Sequence, residues 1–434
     1  MLDVRAIRED PDRFRKGLAR RNLAEAVDSI LELDERRRAL TGRVEELRAE
    51  QNRMGKTIGA AQGDDKQRLI AEVATISAEL KELEPQLEQV DAELTEVLAR
   101  TPNVPDASAP DGFTDEDAVE VRRRGEPSTF DFEPKDHAVL GEQLGMLDTE
   151  RAARTSGSRF VYLMGDIVQL QFALVRHALD VLTSHGFIPV IPPVLVREEA
   201  MFGSGFLPTD EVNIYVTDPD ELYLVGTSEV SLAAFHATEI LDEQDLPIRY
   251  AGYSTCFRRE AGTYGKDMGG MFRVHQFDKV EMFSFARPED SWDEHEFMVG
   301  IEEEIVAGLD LPYRVVNVAA GDLGGAAAKK YDLEVWLPGQ GRYRELTSCS
   351  NYTDYGARRG QTRVRRASGE VEVLHTLNGT ATAVGRTLIA IFENFQRADG
   401  TVGLPTALHA YLPENLRELR PRGRPKGQAV ADPV

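Results

Sequence analysis

The sequence has 434 residues, room for two or three domains at about 150 residues each. Lys plus Arg total 51 against 74 Asp plus Glu, a net charge of −23, with 41% apolar and 29% charged residues. That balance excludes a wholly disordered or collagen-like chain and argues against unspecific nucleic-acid binding. Two cysteines, Cys256 and Cys349, are too few for a disulfide framework or a multi-cysteine zinc site. No uncharged apolar run reaches the roughly 18 residues of a membrane span, and the first residues lack the apolar core of a secretory signal, so a cytoplasmic protein is expected.

The first hundred residues read as a helical hairpin. Leu69, Val73, Ile76, Leu80, Leu83, Leu87, Val90, Leu94 and Val97 alternate spacings of four and three, an unbroken apolar heptad seam. Ile30, Leu33, Leu40, Val44, Leu47, Met54 and Ile58 form a second seam, with Arg37 and Gln51 at its two polar positions. Gln62-Gly63-Asp64-Asp65 is the turn between them. Two such helices of roughly 30 residues make an antiparallel arm about 45 Å long. Pro85 is expected to kink the second helix or remove a hydrogen bond from it. Periodicity leaves two readings open, a scaffolding or dimerisation coiled coil and a rigid lever that contacts something long. Residues 1–56 carry 14 basic and 12 acidic side chains, so Arg36, Arg43, Arg53 and Lys56 are candidates for phosphate contacts.

Residues 101–112 hold three prolines and mark a boundary. The expected organisation is therefore a helical domain at 1–103 with its hairpin at about 28–100, a linker at 104–130, a catalytic domain at 131–416 and a basic disordered tail at 417–434. Within the larger part a helix is predicted from Asp166 to Gly186, with Ile167, Leu170, Leu174, Ala178 and Val181 on one face. The extended piece from Phe187 to Pro193 carries too many prolines for a central strand. Strands are predicted at Leu222–Val225, Ile248–Tyr250, Val280–Phe285, Tyr313–Val316 and Leu333–Leu337. Short strands without regular βαβ spacing predict an α+β fold with a mostly antiparallel sheet flanked by helices. Neither a P-loop nor a dinucleotide fingerprint is present.

One segment concentrates the chemistry. Cys256 to Phe283 reads strand, glycine-rich loop, strand, with Arg258, Arg259, Glu260, Arg273, Phe277 and Glu281 in register. Arginine holds phosphate bidentately, a carboxylate accepts from an exocyclic amine, and a phenylalanine stacks on a base. Phe257-Arg-x-Glu260 followed by Arg273-x-x-x-Phe277 resembles motif 2 of the class II aminoacyl-tRNA synthetases. Gly379 through Gly385-Arg-Thr, opening an apolar helix, resembles motif 3, and the helix ending Gly186-Phe-x-Pro-Val-x-Pro-Pro193 resembles motif 1, the dimer interface of that class. Thr227-Ser-Glu229, Glu345-Leu-Thr-Ser348, Leu377-Asn-Gly-Thr380 and the hairpin are similar to the bacterial type of seryl-tRNA synthetase, from residue 1 to about 412.

The resemblance implies a homodimer that uses ATP to convert L-serine to seryl-adenylate and then loads tRNA-Ser, and tRNA-Sec where present, gripping the RNA with the hairpin. It implies catalytic roles for Arg258, Arg386 and Glu345. ATP contacts are implied for Arg258, Arg259, Glu260, Arg273, Val274, Phe277, Glu345, Leu346, Thr347, Ser348 and Arg386, with Phe277 and Arg386 sandwiching the adenine. The serine pocket is implied to comprise Thr227, Ser228, Glu229, Arg258, Glu281, Asn378 and Thr380. Mg2+ is implied on Glu345 and Ser348, and no zinc. Truncated relatives that load a carrier protein lack the hairpin, which this chain has, and a non-catalytic relative is expected to lose arginines that are all present here.

Overall fold

The computed structural model describes residues 1–261 and 269–421, in two compact units, Met1–Val104 and Pro105–Val434. The glycine-rich part of the motif 2 loop and most of the expected basic tail lie outside the described residues.

In the first unit, Asp3 and Asp10 cap two short helices by accepting the N–H groups of Arg5 and Arg13. Two long helices follow, α1 (Ala26–Ile58) and α2 (Gly63–Arg100), packed against each other. Every residue of both predicted seams is buried or half-buried. Val44, Leu47, Ile76 and Leu80 make a separate distal cluster with Met54, Leu83 and Leu87 around it. The two polar seam positions are satisfied: Gln51 donates to Ser77 at 2.9 Å and Arg37 to Asp34 at 3.0 Å. Asp34 is buried and also meets Arg8 at 2.8 Å and Arg38 at 3.0 Å, which hold its carboxyl low against the cost of burial. Across the hairpin Arg43 pairs with Glu79 at 2.7 Å and Arg48 with Glu84 at 2.7 Å. The helix is unbroken through Pro85, whose missing N–H costs one hydrogen bond while Leu83 and Leu87 on either side keep their packing.

The second unit is built on an eight-stranded sheet. Its strands are β1 (Val119–Arg124), β2 (Ile188–Val190), β3 (Ile248–Phe257), β4 (Gln276–Ala286), β5 (Tyr313–Asn317), β6 (Lys329–Leu337), β7 (Arg342–Asn351) and β8 (His375–Ala383). Their order is β1-β5-β6-β7-β8-β4-β3-β2, antiparallel throughout except for the β2–β3 pair at one edge. The proline-rich piece after Gly186 is thus an edge strand, where missing N–H donors are tolerated. Helices α3 (Asp166–Ser184), α4 (Ser291–Gly308) and α5 (Val384–Asn394) supply Leu170, Leu174, Met298, Ile305, Leu388 and Phe392 to one core with the sheet. Alternation along β4 sends Val280 and Met282 into that core. Lys279 and Glu281 therefore face the other side, and Phe277 lines the cleft while also touching the edge of that core.

Three expectations need correction. Residues 104–130 are not a free linker. Asp106 N–H donates to Ala328 O at 2.8 Å, Ala320 and Gly321 N–H to Pro110 and Gly112 O at 2.8 Å, and β1 pairs with β5. The sheet edge needs backbone partners, and this segment supplies them. The expected tail from residue 417 begins inside the fold, because Glu418–Leu419 pairs with Val402–Gly403 and Leu419 is fully buried. Two central strands, β7 and β8, have no counterpart among the predicted ones.

Candidate active site

β3, β4, β7 and β8 lie side by side, and their outward faces make a cleft of about 710 Å3, open mouth included. Arg258, Glu260, Phe272, Arg273, Val274, Phe277, Lys279, Glu345, Leu346, Thr347, Ser348, Thr380 and Arg386 line it. Most of the residues singled out in the sequence therefore meet in one place, although they come from segments as far apart in the chain as Arg258 and Arg386.

Irregular strand geometry aims several of them. Glu345 and Ser348 are three apart, which in a regular strand sets them on opposite faces. The β6–β7 register skips between Leu333/Thr347 and Glu334/Glu345, leaving Leu346 as the extra residue of a bulge. Both side chains then reach the cleft. A second skip pairs Val280 with Thr382 and Glu281 with Thr380, leaving Ala381 as the extra residue on β8.

At the phosphate end, Arg258 Nε donates to Gly226 O at 3.2 Å, and its guanidinium lies 5.4 Å from the Phe277 ring centre. Arg386, in the first turn of α5, donates to Glu345 O at 2.9 Å and pairs with Glu345 Oε2 at 3.1 Å. Glu345 is walled into the cleft, which works against its charge, but Arg386, Lys330 and Arg258 overcome this and hold the carboxyl down at about 2. Its side chain is 46% open to the cleft, so the opposing burial is that of a cavity wall. Arg273 pairs with Glu260 at 2.5 Å.

Deeper in, Glu281 is fully buried and is the hub of a polar pocket. It accepts from Thr227 Oγ1 at 3.0 Å, from Thr380 Oγ1 at 3.3 and 3.2 Å to its two oxygens, and from Asn378 Nδ2 at 3.4 Å, and it is ion-paired to Lys279. Thr227 in turn accepts the Glu229 N–H at 3.3 Å. Burial pushes the Glu229 carboxyl up, opposed by Tyr352, Lys279 and Arg258.

Two of the sequence candidates sit elsewhere. Ser228 is buried with its hydroxyl on Gly252 O at 3.1 Å, fixing a turn to β3, and it is not among the cleft-lining residues. Arg259 contributes a backbone N–H to Asn213 O at 2.9 Å and is likewise absent from the lining. Three residues were missed. Phe272 lies 4.8 Å from the Arg386 guanidinium and 3.9 Å from that of Arg344, a stacking platform at the end of the motif 2 loop. Lys279 was legible by alternation, two residues before Glu281. Tyr352, whose hydroxyl meets Glu229, carried no sequence signal.

An antiparallel sheet backed by three helices, with arginines at the start of motif 2 and of the helix after β8, defines a class II aminoacyl-tRNA synthetase core. Residues 214–395 match the family described as tRNA synthetase class II core domain (G, H, P, S and T), and residues 1–105 match the seryl-tRNA synthetase N-terminal domain. The chain is 48% identical over 417 residues to a serine–tRNA ligase of Thermobifida fusca, covering 96% of this chain and 98% of that one. It is similar to the crystal structure of a seryl-tRNA synthetase from Pyrococcus horikoshii complexed with ATP (TM-score 0.91, 42% identity, 98% and 100% of the two chains). It also resembles a cytoplasmic serine–tRNA ligase from Naegleria fowleri in complex with AMP (TM-score 0.86, 36% identity, 98% and 99%). The chain belongs to the seryl-tRNA synthetase family.

Proposed function

We infer that this cleft carries out both half-reactions of a serine–tRNA ligase. The chain is an ATP-dependent aminoacyl-tRNA ligase. The serine carboxylate attacks the α-phosphate of ATP and pyrophosphate leaves; a terminal hydroxyl of tRNA-Ser then attacks the seryl carbonyl of the adenylate, AMP leaves and the hydroxyl proton is released. The attacking group is already an anion, so the enzyme needs placement and positive charge rather than a general base.

In this reading Arg258 bridges the α-phosphate and the serine carboxylate, and Arg273 and Arg386 hold the outer phosphates. Phe277 and Arg386 enclose the adenine, while Glu260 and the Val274 backbone meet its edge. Arg273 must let go of Glu260 in part for both to serve the nucleotide. Glu345 and Ser348 offer the oxygen ligands that Mg2+ prefers, and the low-lying Glu345 carboxyl fits that use. The ion, when bound, neutralises phosphate charge.

The observation that carries the serine assignment is the buried acceptor Glu281 with Thr227 and Thr380 on it. A site built to pair a hydroxyl rejects alanine, because alanine leaves that site unpaired. Glu229 and Thr227 take the ammonium. ATP–pyrophosphate exchange with a panel of amino acids tests this: serine is expected to support exchange and alanine and threonine to support little, and exchange driven equally by alanine would overturn it.

The hairpin is proposed to grip tRNA-Ser, with exposed Arg53 and Lys56 near its turn as phosphate contacts. The chain is proposed to work as a homodimer in the cytoplasm, with the α3 segment at the interface. No helix among the described residues is long and apolar enough to cross a membrane.

A further inference from the structure

A carboxylate offers about four lone-pair positions to donors. Glu281 meets four donor groups in this structure: Thr227 Oγ1, Thr380 Oγ1, Asn378 Nδ2 and Lys279 Nζ. Its accepting capacity is full. Yet the pocket assignment, on which this inference rests, requires Glu281 to accept one more hydrogen bond, from the serine hydroxyl. One resident donor has to leave when serine enters.

Three of the four are fixed. Thr227 is tied to the Glu229 N–H, Asn378 also donates to Met282 O at 3.3 Å, and Thr380 is a short side chain on a central strand. Lys279 alone joins a flexible four-carbon stem to a place on the cleft wall. Burial pulls its ammonium down to about 8, with Arg258 working in the same sense, against the attraction of Cys256, Glu229 and, on the cleft side, Glu345, which gives a displaced ammonium a place to go. Around the two pocket carboxylates positive charge is kept, because the ammonium of the incoming serine arrives beside Glu229 as that of Lys279 leaves Glu281, while the serine carboxylate lies toward Arg258.

We propose that Lys279 is a placeholder for the substrate hydroxyl: it occupies Glu281 while the pocket is empty, yields that position to serine, and carries its ammonium into the cleft onto the α-phosphate of ATP. Recognition of the hydroxyl thereby adds a cation at the reacting phosphorus. Alanine, with no hydroxyl to donate, fills the pocket without releasing the lysine, so discrimination appears in activation as well as in binding.

The test measures by calorimetry the affinity of the full chain for a non-hydrolysable ATP analogue, alone, with saturating serine and with saturating alanine. Serine is expected to tighten the analogue by about fivefold or more, the lower end of ordinary coupling between sites. Alanine is expected to leave it unchanged, and Lys279→Met to bind serine but lose the tightening. In crystals with a non-hydrolysable seryl-adenylate analogue, Nζ should lie beyond about 4 Å from both Glu281 oxygens, outside ion-pair reach. Undiminished tightening in Lys279→Met, equal tightening by alanine, or Nζ still on Glu281 in the analogue complex would overturn the proposal. Glu281→Gln separates it from the reading beneath. If that variant activates serine normally, Glu281 is not the hydroxyl acceptor and the pocket assignment falls. If it loses serine while Lys279→Met keeps the coupling, only the exchange falls.

Discussion

Arg258 sits where β3 gives way to the motif 2 loop, with one nitrogen spent on Gly226 O and its guanidinium plane near Phe277. The contact to Gly226 aims the remaining donors rather than consuming them, since a guanidinium has five N–H groups. Charge that develops at phosphorus needs such a preset donor, and losing one typically costs about 10²–10³ in rate. Arg258→Ala is therefore expected to cut serine-dependent pyrophosphate exchange by that factor while leaving the melting temperature near that of the parent. Exchange within a few-fold of the parent would take Arg258 out of the reaction. Residues of this kind were legible because their spacing in the chain is characteristic. Glu302 was not. In the run Glu302-Glu303-Glu304 it reads as a solvated acid, but it lies on the same face of α4 as Met298 and Ile305 and is buried, accepting from Thr347 Oγ1 at 3.0 Å. Burial pushes its carboxyl well up, and it supports β7 from behind the cleft.

Between elements, α4 is joined to β7 by a second buried group. His295 Nε2 lies 3.0 Å from Cys349 O and donates to it, while Nδ1 has no hydrogen-bond partner among the described residues. Burial drives this imidazole down to about 4, the bond to Cys349 opposing in part. The ring is therefore neutral in the folded chain, whereas an unfolded histidine takes up a proton below about 6.5. Between those values the unfolded state binds more protons, so stability is complete above about pH 6.5 and falls as the pH drops toward 4, by up to about 3 kcal/mol. Thermal melts at pH 7 and pH 5 should show a smaller acid loss in His295→Gln, which keeps a donor for Cys349 O and has no proton to gain. An equal loss in both proteins would mean that His295 does not titrate this way. The same elements explain what pattern reading missed. β7 and β8 run Arg-Tyr-Arg-Glu-Leu-Thr-Ser-Cys-Ser-Asn and His-Thr-Leu-Asn-Gly-Thr-Ala-Thr-Ala, too polar to look like central strands. They are polar because one face of each is the floor or wall of the cleft. The hairpin, with solvent around a single seam, obeyed the simple period and was readable almost residue by residue.

For the molecule as a whole, the hairpin's construction suggests how to divide recognition from chemistry. Its distal half has its own apolar cluster around Val44, Leu47, Ile76 and Leu80, whereas nearer the base Asp34 is tied to Arg8 of the short helix Val4–Glu9. Excising residues 41–88 and bridging the ends with a short glycine linker removes the distal cluster and leaves that base intact. The shortened enzyme is expected to form seryl-adenylate at near the parental rate and to lose transfer to tRNA-Ser. In the parent, transfer should weaken with added salt, but with a shallow slope, since several hairpin arginines are already paired with glutamates and few phosphates are left to be met. Unimpaired charging by the shortened enzyme would make the hairpin a scaffold.

The two bulges beside the cleft make the site's geometry a matter of phase. Each extra residue, Leu346 on β7 and Ala381 on β8, shifts everything on one side of it by half a pleat relative to the other. Ironing the bulge flat with Leu346 still in place would turn Glu345 and Ser348 to opposite faces, whereas deleting Leu346 would heal the strand and leave the two side chains on one face, now two residues apart. The cleft thus depends on each strand carrying one residue more than its partner, and two apolar positions hold in phase the polar groups around them.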